Sequence, residues 1–191
     1  MQKTIRIFQF ILAITSLLFF ITEIQAQRIN TNPTGNSTSG ICGNAQQYQK
    51  VFDIFNTKGF RPVKVSAKWA VPFEELPAPH FEYTATFQKQ TNSPAWIARH
   101  VLTPVQYQTE LDKWAKQGYM PTDINIAQGR QITNYTLVME KIPHPPQWVE
   151  KHGINQQGLS LNDQILLARG YKRTLTSETT SGLFAALWVK I

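Results

Sequence analysis

Two tryptophan–histidine pairs are the residues whose types and spacing could do chemistry in this sequence. The segment PAWIARH covers residues 94–100 and PQWVEKH covers residues 146–152, so that Pro-x-Trp-x-x-x-His occurs twice, 52 residues apart. The chain has only five Trp and four His, so the recurrence needs a physical cause. Two histidines could belong to a divided zinc site. Alternatively, Trp and His four residues apart could meet on one face of a short helical turn and pack there.

The choice between metal binding and packing depends on the number of available ligands. A zinc site needs three or four of them. The sequence has no Cys-x-x-Cys, no His-Glu-x-x-His and no third histidine in the same pattern. We therefore expect no metal and no cofactor, and we favour a packing role for the recurring pairs. An exposed Trp–His ligand site is the remaining alternative for Trp96, His100, Trp148 and His152.

A second candidate for chemistry is the adjacent carboxylate pair Glu74 and Glu75 in PFEELPAPH. Paired carboxylates can perform acid–base chemistry across a cleft, although neighbours in sequence usually diverge and are solvated. With His80, they are the residues that a hydrolase of an unfamiliar type would use. Glu74 and Glu75 are also possible ligand-binding residues, because their loop departs from the repeat. The chain has no Ser-x-x-Lys, no Gly-x-Ser-x-Gly, no Gly-x-Gly-x-x-Gly and no phosphate-binding loop. The sequence therefore assigns no catalytic residue.

Three amphipathic helices are predicted around these segments. The second is the best signalled, because Thr103 can cap it and Pro104 suits the first helical position. The third is predicted to begin at Ser160, with Asp163 completing a variant of the capping box. Each helix should end at a glycine that can adopt the left-handed conformation, namely Gly59, Gly118 and Gly170.

Each of these glycines precedes an aromatic residue and two strand-like stretches. Apolar and polar residues alternate there, as they do in a strand with one buried face, and the two strands should pair as a hairpin. The residues predicted to face inward are Val63, Val65, Ala67, Trp69, Phe81, Tyr83, Ala85, Phe87, Ile124, Ile126, Tyr135, Leu137, Met139, Phe184, Ala186 and Trp188.

Several kinds of landmark share one period, which indicates an internal repeat. Four pairs of landmarks are each 52 residues apart, namely Gly118 and Gly170, Trp96 and Trp148, His100 and His152, and Tyr83 and Tyr135. Gly59 and Gly118 are 59 apart because the loop AVPFEELPAPH is longer. We predict an α+β fold of three tandem helix–strand–strand repeats of about 52–59 residues, packed into one compact domain. The predicted units are 48–106, 107–158 and 159–191. Both an open stack and a closed ring satisfy this pattern.

The amino-terminal residues have a different character. Residues 1–26 combine Lys3 and Arg6 with an apolar run and end at Ala26, as a secretory signal does; an uncleaved membrane anchor is the alternative. Residues 27–47 are rich in Asn, Thr, Ser and Gly, which predicts a flexible leader. That leader contains Cys42, the single cysteine, so no intrachain disulfide can form, although Cys42 can pair between chains.

The charge bounds the class of partner. The net charge is +7, and it becomes +6 without residues 1–26, with the charges dispersed along the chain. We therefore expect a secreted or periplasmic protein whose partners are extracellular proteins or anionic polymers. Nucleic acid, and a membrane after signal cleavage, are not expected partners.

Four stretches resemble a known family: GFRPVKVSAKW, YTATF, PAWIARHVLTPVQYQTELDKWAKQGYMP and NYTLVMEK. They look like the bacterial tandem repeat found beside serine hydrolase domains, and they are similar to the repeated amino-terminal half of secreted polyglycine hydrolases. The resemblance covers residues 48–191 and is weakest in the third copy, where Asp163 replaces an apolar helix position and Arg173 replaces a proline. In that family catalysis belongs to a separate β-lactamase-like domain with a Ser-x-x-Lys nucleophile.

The resemblance implies a non-catalytic module with a structural or ligand- or substrate-binding role. An accessory subunit of a separately encoded serine hydrolase is the second hypothesis. A hydrolase of an unfamiliar type is the third.

Overall fold

The computed structural model describes residues 29–33, 35–70 and 80–191, which form three helices and nine strands. The order strand, helix, strand, strand occurs three times, and each set forms its own three-stranded antiparallel sheet. The predicted α+β fold of three tandem repeats in one domain is confirmed. Unit 1 contains β1 (Ser37–Gly43), α1 (Ala45–Thr57), β2 (Phe60–Ala70) and β3 (His80–Lys89); unit 2 contains β4 (Trp96–Leu102), α2 (Pro104–Ala115), β5 (Tyr119–Gln128) and β6 (Thr133–Lys141); unit 3 contains β7 (Trp148–Ile154), α3 (Gln156–Leu167), β8 (Tyr171–Glu178) and β9 (Phe184–Lys190).

The two Trp–His segments are strands, so the prediction of a short helical turn is wrong. Each segment is the first strand of a unit and lies beside the last strand of that unit, in the orders β4-β6-β5 and β7-β9-β8. Residues four apart share a face in a strand as well as on a helix. The spacing therefore predicted correctly that Trp and His lie on one side, without identifying the element.

The segment predicted as a flexible leader contains strand β1, so that prediction is wrong for residues 37–43. The strand pairs with β3, and the backbone N–H of Ile29 donates to the carbonyl of Ile41 at 3.0 Å. Cys42 is buried, and burial raises the pKa of its thiol to about 12, which keeps it protonated. Residues 1–26 and the predicted signal lie outside the described residues. Within the part of the chain that is described, no helix is long and apolar enough to span a bilayer.

The helices begin directly after the first strand of each unit. Asn44 and Thr103 cap α1 and α2 in capping boxes, with Pro104 at the start of α2 as predicted. The predicted cap of α3 at Ser160 is wrong. Asn155 caps this helix, and its side chain accepts from the N–H of Gly158 at 2.8 Å, while Ser160 lies inside the helix. The cap therefore keeps the place, just after β7, that Asn44 and Thr103 have after β1 and β4.

Units 1 and 2 meet where the outer strand β2 packs on the face of the second sheet that is turned away from α2. We call this contact the first junction. Its polar side chains satisfy the free edge of β2: Asp123 accepts from the N–H of Val65 at 2.7 Å, and Asn125 accepts from the N–H of Ala67 at 2.8 Å. Thr136, which is fully buried, donates to the carbonyl of Val65 at 2.7 Å. Unit 2 thus covers an edge of unit 1 that would otherwise be exposed.

The second junction, between units 2 and 3, repeats this arrangement with fewer bonds. Ser177 accepts from the N–H of Ile126 at 3.0 Å. Equivalent stretches of β2, β5 and β8, at residues 64–66, 123–125 and 174–177, line one cavity of about 420 Å³. All three units therefore contribute a strand to one shared cavity.

Candidate functional site

His100 projects from β4 of unit 2 into the core of unit 1. Its ring lies edge-on to Tyr48 of α1 and Tyr83 of β3, with centroid distances of 4.7 and 5.7 Å. The two tyrosine rings stack on each other at 5.4 Å. Burial lowers the pKa of His100, which favours the neutral imidazole. This cluster joins one unit to the next through aromatic packing.

His152 repeats this geometry one unit later. Its ring lies edge-on to Tyr107 of α2 and Tyr135 of β6, at 4.8 and 5.3 Å, and these tyrosines stack at 4.6 Å. His100 and His152 therefore lie in two different junctions and do not face one metal position. In the described residues, no group of three or more His, Cys, Asp or Glu is placed to hold a metal ion.

The first and third units each lack one part of this histidine–tyrosine cluster. The three positions that precede the helix caps by three residues hold Ile41, His100 and His152, so the histidine is absent from unit 1. The fourth position after each cap holds tyrosine in α1 and α2 but Leu159 in α3, and the facing strand position holds Phe184 in unit 3. The histidine is thus present in units 2 and 3, which each follow another unit. The tyrosine pair is present in units 1 and 2, which each precede a unit that carries the histidine.

Trp96 and Trp148, the tryptophans of the two Trp–His strands, are partly exposed. Trp96 contacts Phe52 of α1 with a centroid distance of 6.0 Å. In α3 the position equivalent to Phe52 holds Asp163, which accepts from the indole N–H of Trp188 at 2.8 Å and pairs with Arg173 at 3.4 Å. The two departures of the third copy from the family pattern therefore contact each other.

A buried carboxyl group beside the histidine distinguishes the second junction. The side chain of Glu150 is only 3% exposed, and it lies between Tyr107, whose hydroxyl donates to it at 3.2 Å, and His152, whose Nδ1 is 3.0 Å away. Burial, and then the charge of Glu150, raise the pKa of Tyr107 well above its ordinary value and that of Tyr135 to about 12. Both hydroxyls therefore stay protonated and can donate.

The first junction has a cavity at the corresponding place. Glu150 stands two residues before His152, and the residue two before His100 is Ala98. A space of about 250 Å³ adjoins Ala98. The described residues that line it are Tyr48, Gln49, Phe52, Ala98, Arg99 and His100.

The comparison with known families agrees with this division into units. A family model described as a polyglycine hydrolase-like structural repeat matches residues 44–68, 93–142 and 145–191. The chain belongs to this family of structural repeats. Among these polyglycine hydrolase-like repeats, the second and third matched segments each contain all three strands of one sheet. The predicted boundaries at 106/107 and 158/159 instead fall inside α2 and α3. No curated protein matches the chain.

The remaining predicted site residues are placed only in part. Glu74 and Glu75 lie outside the described residues, and His80 is the first residue of β3, opposite Ala70. Sequence reasoning missed Ala98 and Glu150. The signal was available, because aligning PAWIARH with PQWVEKH pairs an alanine with a glutamate between the shared Trp and His.

Proposed function

We propose that this chain is a non-catalytic repeat module that acts outside the cytoplasm, with a structural and ligand-binding role. The observation that carries the proposal is the use of its most conspicuous side chains. His100 and His152 pack between tyrosine pairs, and Trp96 packs on Phe52, so these residues hold units together. The family's description as a structural repeat supports the same role.

The secreted location rests on the amino-terminal residues and the charge. Residues 1–26 have the order of a signal sequence. The net charge of +7 suits contact with acidic proteins or anionic polymers outside the cell.

An assay panel with matched variants tests the non-catalytic role. The purified protein is incubated with peptide and ester substrates, alongside H80A and the double variant E74Q/E75Q. We expect no turnover above that of a buffer blank. Turnover by the native protein that is lost in either variant would establish a hydrolase and overturn the proposal.

A binding screen tests the ligand-binding part. The protein is passed over immobilised cell-wall polymers and over secreted proteins, and retention is measured at low and high salt. We expect retention on at least one anionic surface, weakened by salt because the interaction is electrostatic. Failure to bind any of them would leave a structural role alone.

An accessory role beside a separately encoded serine hydrolase is the second candidate. The observation that favours it is the family's description, which links these repeats to polyglycine hydrolases. It predicts that such an enzyme co-purifies with this protein from its native source. Recovery of the protein without any hydrolase would count against it.

A further inference from the structure

The two junctions differ at one position in a way that suggests a ligand. At the second junction Glu150 places a carboxyl group between a tyrosine hydroxyl and a histidine ring. At the first junction the same tyrosine and histidine are present, but the side chain that would supply the carboxyl group is the methyl of Ala98. We propose that the cavity beside Ala98 binds a carboxylate group of a ligand, in the place that Glu150 takes at the second junction.

The receiving groups have nearly the same geometry at both junctions. The histidine-to-tyrosine centroid distance is 4.7 Å for His100 and Tyr48 and 4.8 Å for His152 and Tyr107, with an interplanar angle of 77° in both pairs. Because the ring arrangement is repeated, the hydroxyl and imidazole that hold Glu150 have counterparts at the first junction. A carboxylate entering there would meet the same kinds of donor.

These counterparts are available for a ligand. Tyr48 is 1% exposed and lines the cavity, and its hydroxyl forms no hydrogen bond among the described residues. The same holds for the ring nitrogens of His100, whose contacts are aromatic. Because Tyr48 lines the cavity, its hydroxyl can donate to a carboxylate that enters there. Burial raises the pKa of Tyr48, which keeps its proton for donation.

The lining of the cavity holds one cationic side chain, while the carboxyl group of Asp123 acts on Tyr48 from outside the lining. Arg99 is the one charged side chain among the described residues that line the cavity. Its Nε donates to Glu110 at 2.9 Å and its Nη1 donates to the carbonyl of Ala98 at 2.9 Å. A guanidinium has five N–H donors, so others remain for a ligand. A buried carboxylate needs such pairing to offset its desolvation.

The size of the cavity limits what can enter. At about 250 Å³ it lies below the roughly 300–1,000 Å³ of pockets that enclose drug-sized ligands. It fits a small organic acid, or the carboxyl-bearing end of a longer chain, with Phe52 offering an apolar wall to the adjoining carbons. This inference rests on the proposed binding role and specifies the chemical class of the ligand.

Titration of the protein with sodium propionate, against sodium chloride at equal ionic strength, tests the proposal. The imidazole resonances of His100 are followed by NMR, with His152 as an internal control because Glu150 already fills its site. We expect a saturable shift of the His100 resonances and a rise in melting temperature. An unchanged His100 spectrum up to high millimolar propionate would overturn the proposal.

Variants at the two equivalent positions locate the site. A98E should fill the cavity with the carboxyl group that the second junction has, and it should abolish the response of His100 to propionate. A98L, which fills the space with an apolar group, serves the same purpose if A98E does not fold. A response of His100 that persists in a folded cavity-filling variant would place the binding elsewhere and refute this site.

The reciprocal variant E150A should open an equivalent cavity at the second junction. We expect its melting temperature to fall, to recover in part with propionate, and His152 to acquire a propionate-dependent shift. E150Q, which keeps a side-chain oxygen for Tyr107, should show neither the rescue nor the shift. An E150A protein that propionate does not rescue would contradict the equivalence of the two junctions.

Peptides distinguish the possible sources of the carboxylate. A dialanine with a free carboxyl end is compared with its amide, and with propionate. A response to the free dialanine but not to the amide indicates recognition of a chain end, whereas a response to propionate alone indicates a small acid. If His100 responds to none of them while the protein still binds a polymer in the screen, this inference fails and the proposed function stands. Turnover in the hydrolase assay that is lost in H80A or in E74Q/E75Q would instead overturn the proposed non-catalytic function, whatever the response of His100.

Discussion

Val101 and Gly153 occupy the same place, one residue after the histidine of each Trp–His strand. Both have a left-handed backbone, with φ of 57° and 64°, where the pairing of the strand shifts register. This conformation is unfavourable for a β-branched residue. We expect V101G to raise the free energy of unfolding by about 1 kcal/mol, because glycine adopts this backbone conformation without strain. The backbone N–H that bonds to Tyr83 is retained in the variant. Urea denaturation measures the change.

The reverse substitution is the matched control. A Cβ at Gly153 would meet only the hydroxyl of Tyr135, at 3.6 Å, so the space is adequate and the cost of G153V is set by the backbone. We expect G153V to lower the free energy of unfolding by about 1–3 kcal/mol. A V101G protein that is less stable than the native one would show that Val101 is not strained.

Asp123 should make stability depend on pH. Burial raises the pKa of its carboxyl from 3.8 to about 6, although the N–H of Val65 and the charge of Lys64 oppose the rise. The folded state therefore holds this proton more tightly than the unfolded state does. Its contribution to stability is fully present below about pH 4, and it is lost as the pH rises to about 6.

The variant D123N isolates this contribution. Asparagine keeps an oxygen for the N–H of Val65 but cannot ionise, so the stability of D123N relative to the native protein should increase between pH 4 and 6 and then level off. Thermal melts at a series of pH values measure this difference. Asp112 is exposed and provides the control, for which D112N is melted at the same pH values. Parallel pH profiles for D123N and the native protein would refute the raised pKa.

At the scale of elements, the helices and hairpins followed from the sequence because their signals are local. Caps, terminal glycines and alternating apolar residues act within a few positions. Strand β1 lacks such signals, since it is polar and rich in Ser and Gly, and it is ordered by pairing with β3, which is distant in sequence. Composition alone therefore predicted a flexible leader for residues that form a sheet.

The Trp–His strands and the start of α3 show the limit of local patterns in another way. A spacing of four is compatible with a strand and with a helix, and Ser160 with Asp163 resembles a capping box although the true cap, Asn155, lies earlier. The aligned segments show the difference between Ala98 and Glu150, but they do not predict the cavity beside Ala98. It is defined by residues from two units whose contact the sequence does not specify.

The tryptophans of the repeats should differ in their contribution to stability according to burial. Trp188 of β9 is 1% exposed and its indole N–H bonds to Asp163, so W188A should cost about 3–5 kcal/mol. Trp96 is partly exposed, and W96A should cost only about 1–2 kcal/mol because less apolar area is lost from the folded state. Denaturant midpoints of the two variants test the ranking. A loss for W96A as large as that for W188A would mean that Trp96 is buried in solution.

At the scale of the whole molecule, stability depends on each unit completing its neighbour. His100 of unit 2 packs in the aromatic core of unit 1. Polar side chains of unit 2 also bind the free edge of the sheet of unit 1. Neither unit of such a pair has these core and edge contacts when the other unit is absent. We therefore expect the units to unfold together when a junction is intact.

Thr136 offers a direct test of this coupling. Its hydroxyl is buried and donates to the carbonyl of Val65 across the first junction, so T136V leaves that acceptor without this donor and should cost about 1–3 kcal/mol. Thr84 holds the same position in the first sheet, where it is partly exposed and no unit among the described residues packs on it. T84V should therefore change stability by no more than about 0.5 kcal/mol. Urea denaturation of both variants gives the comparison, and an unchanged slope for T136V would mean that units 1 and 2 still unfold as one. Equal losses for T136V and T84V would show that the bond across the junction does not contribute.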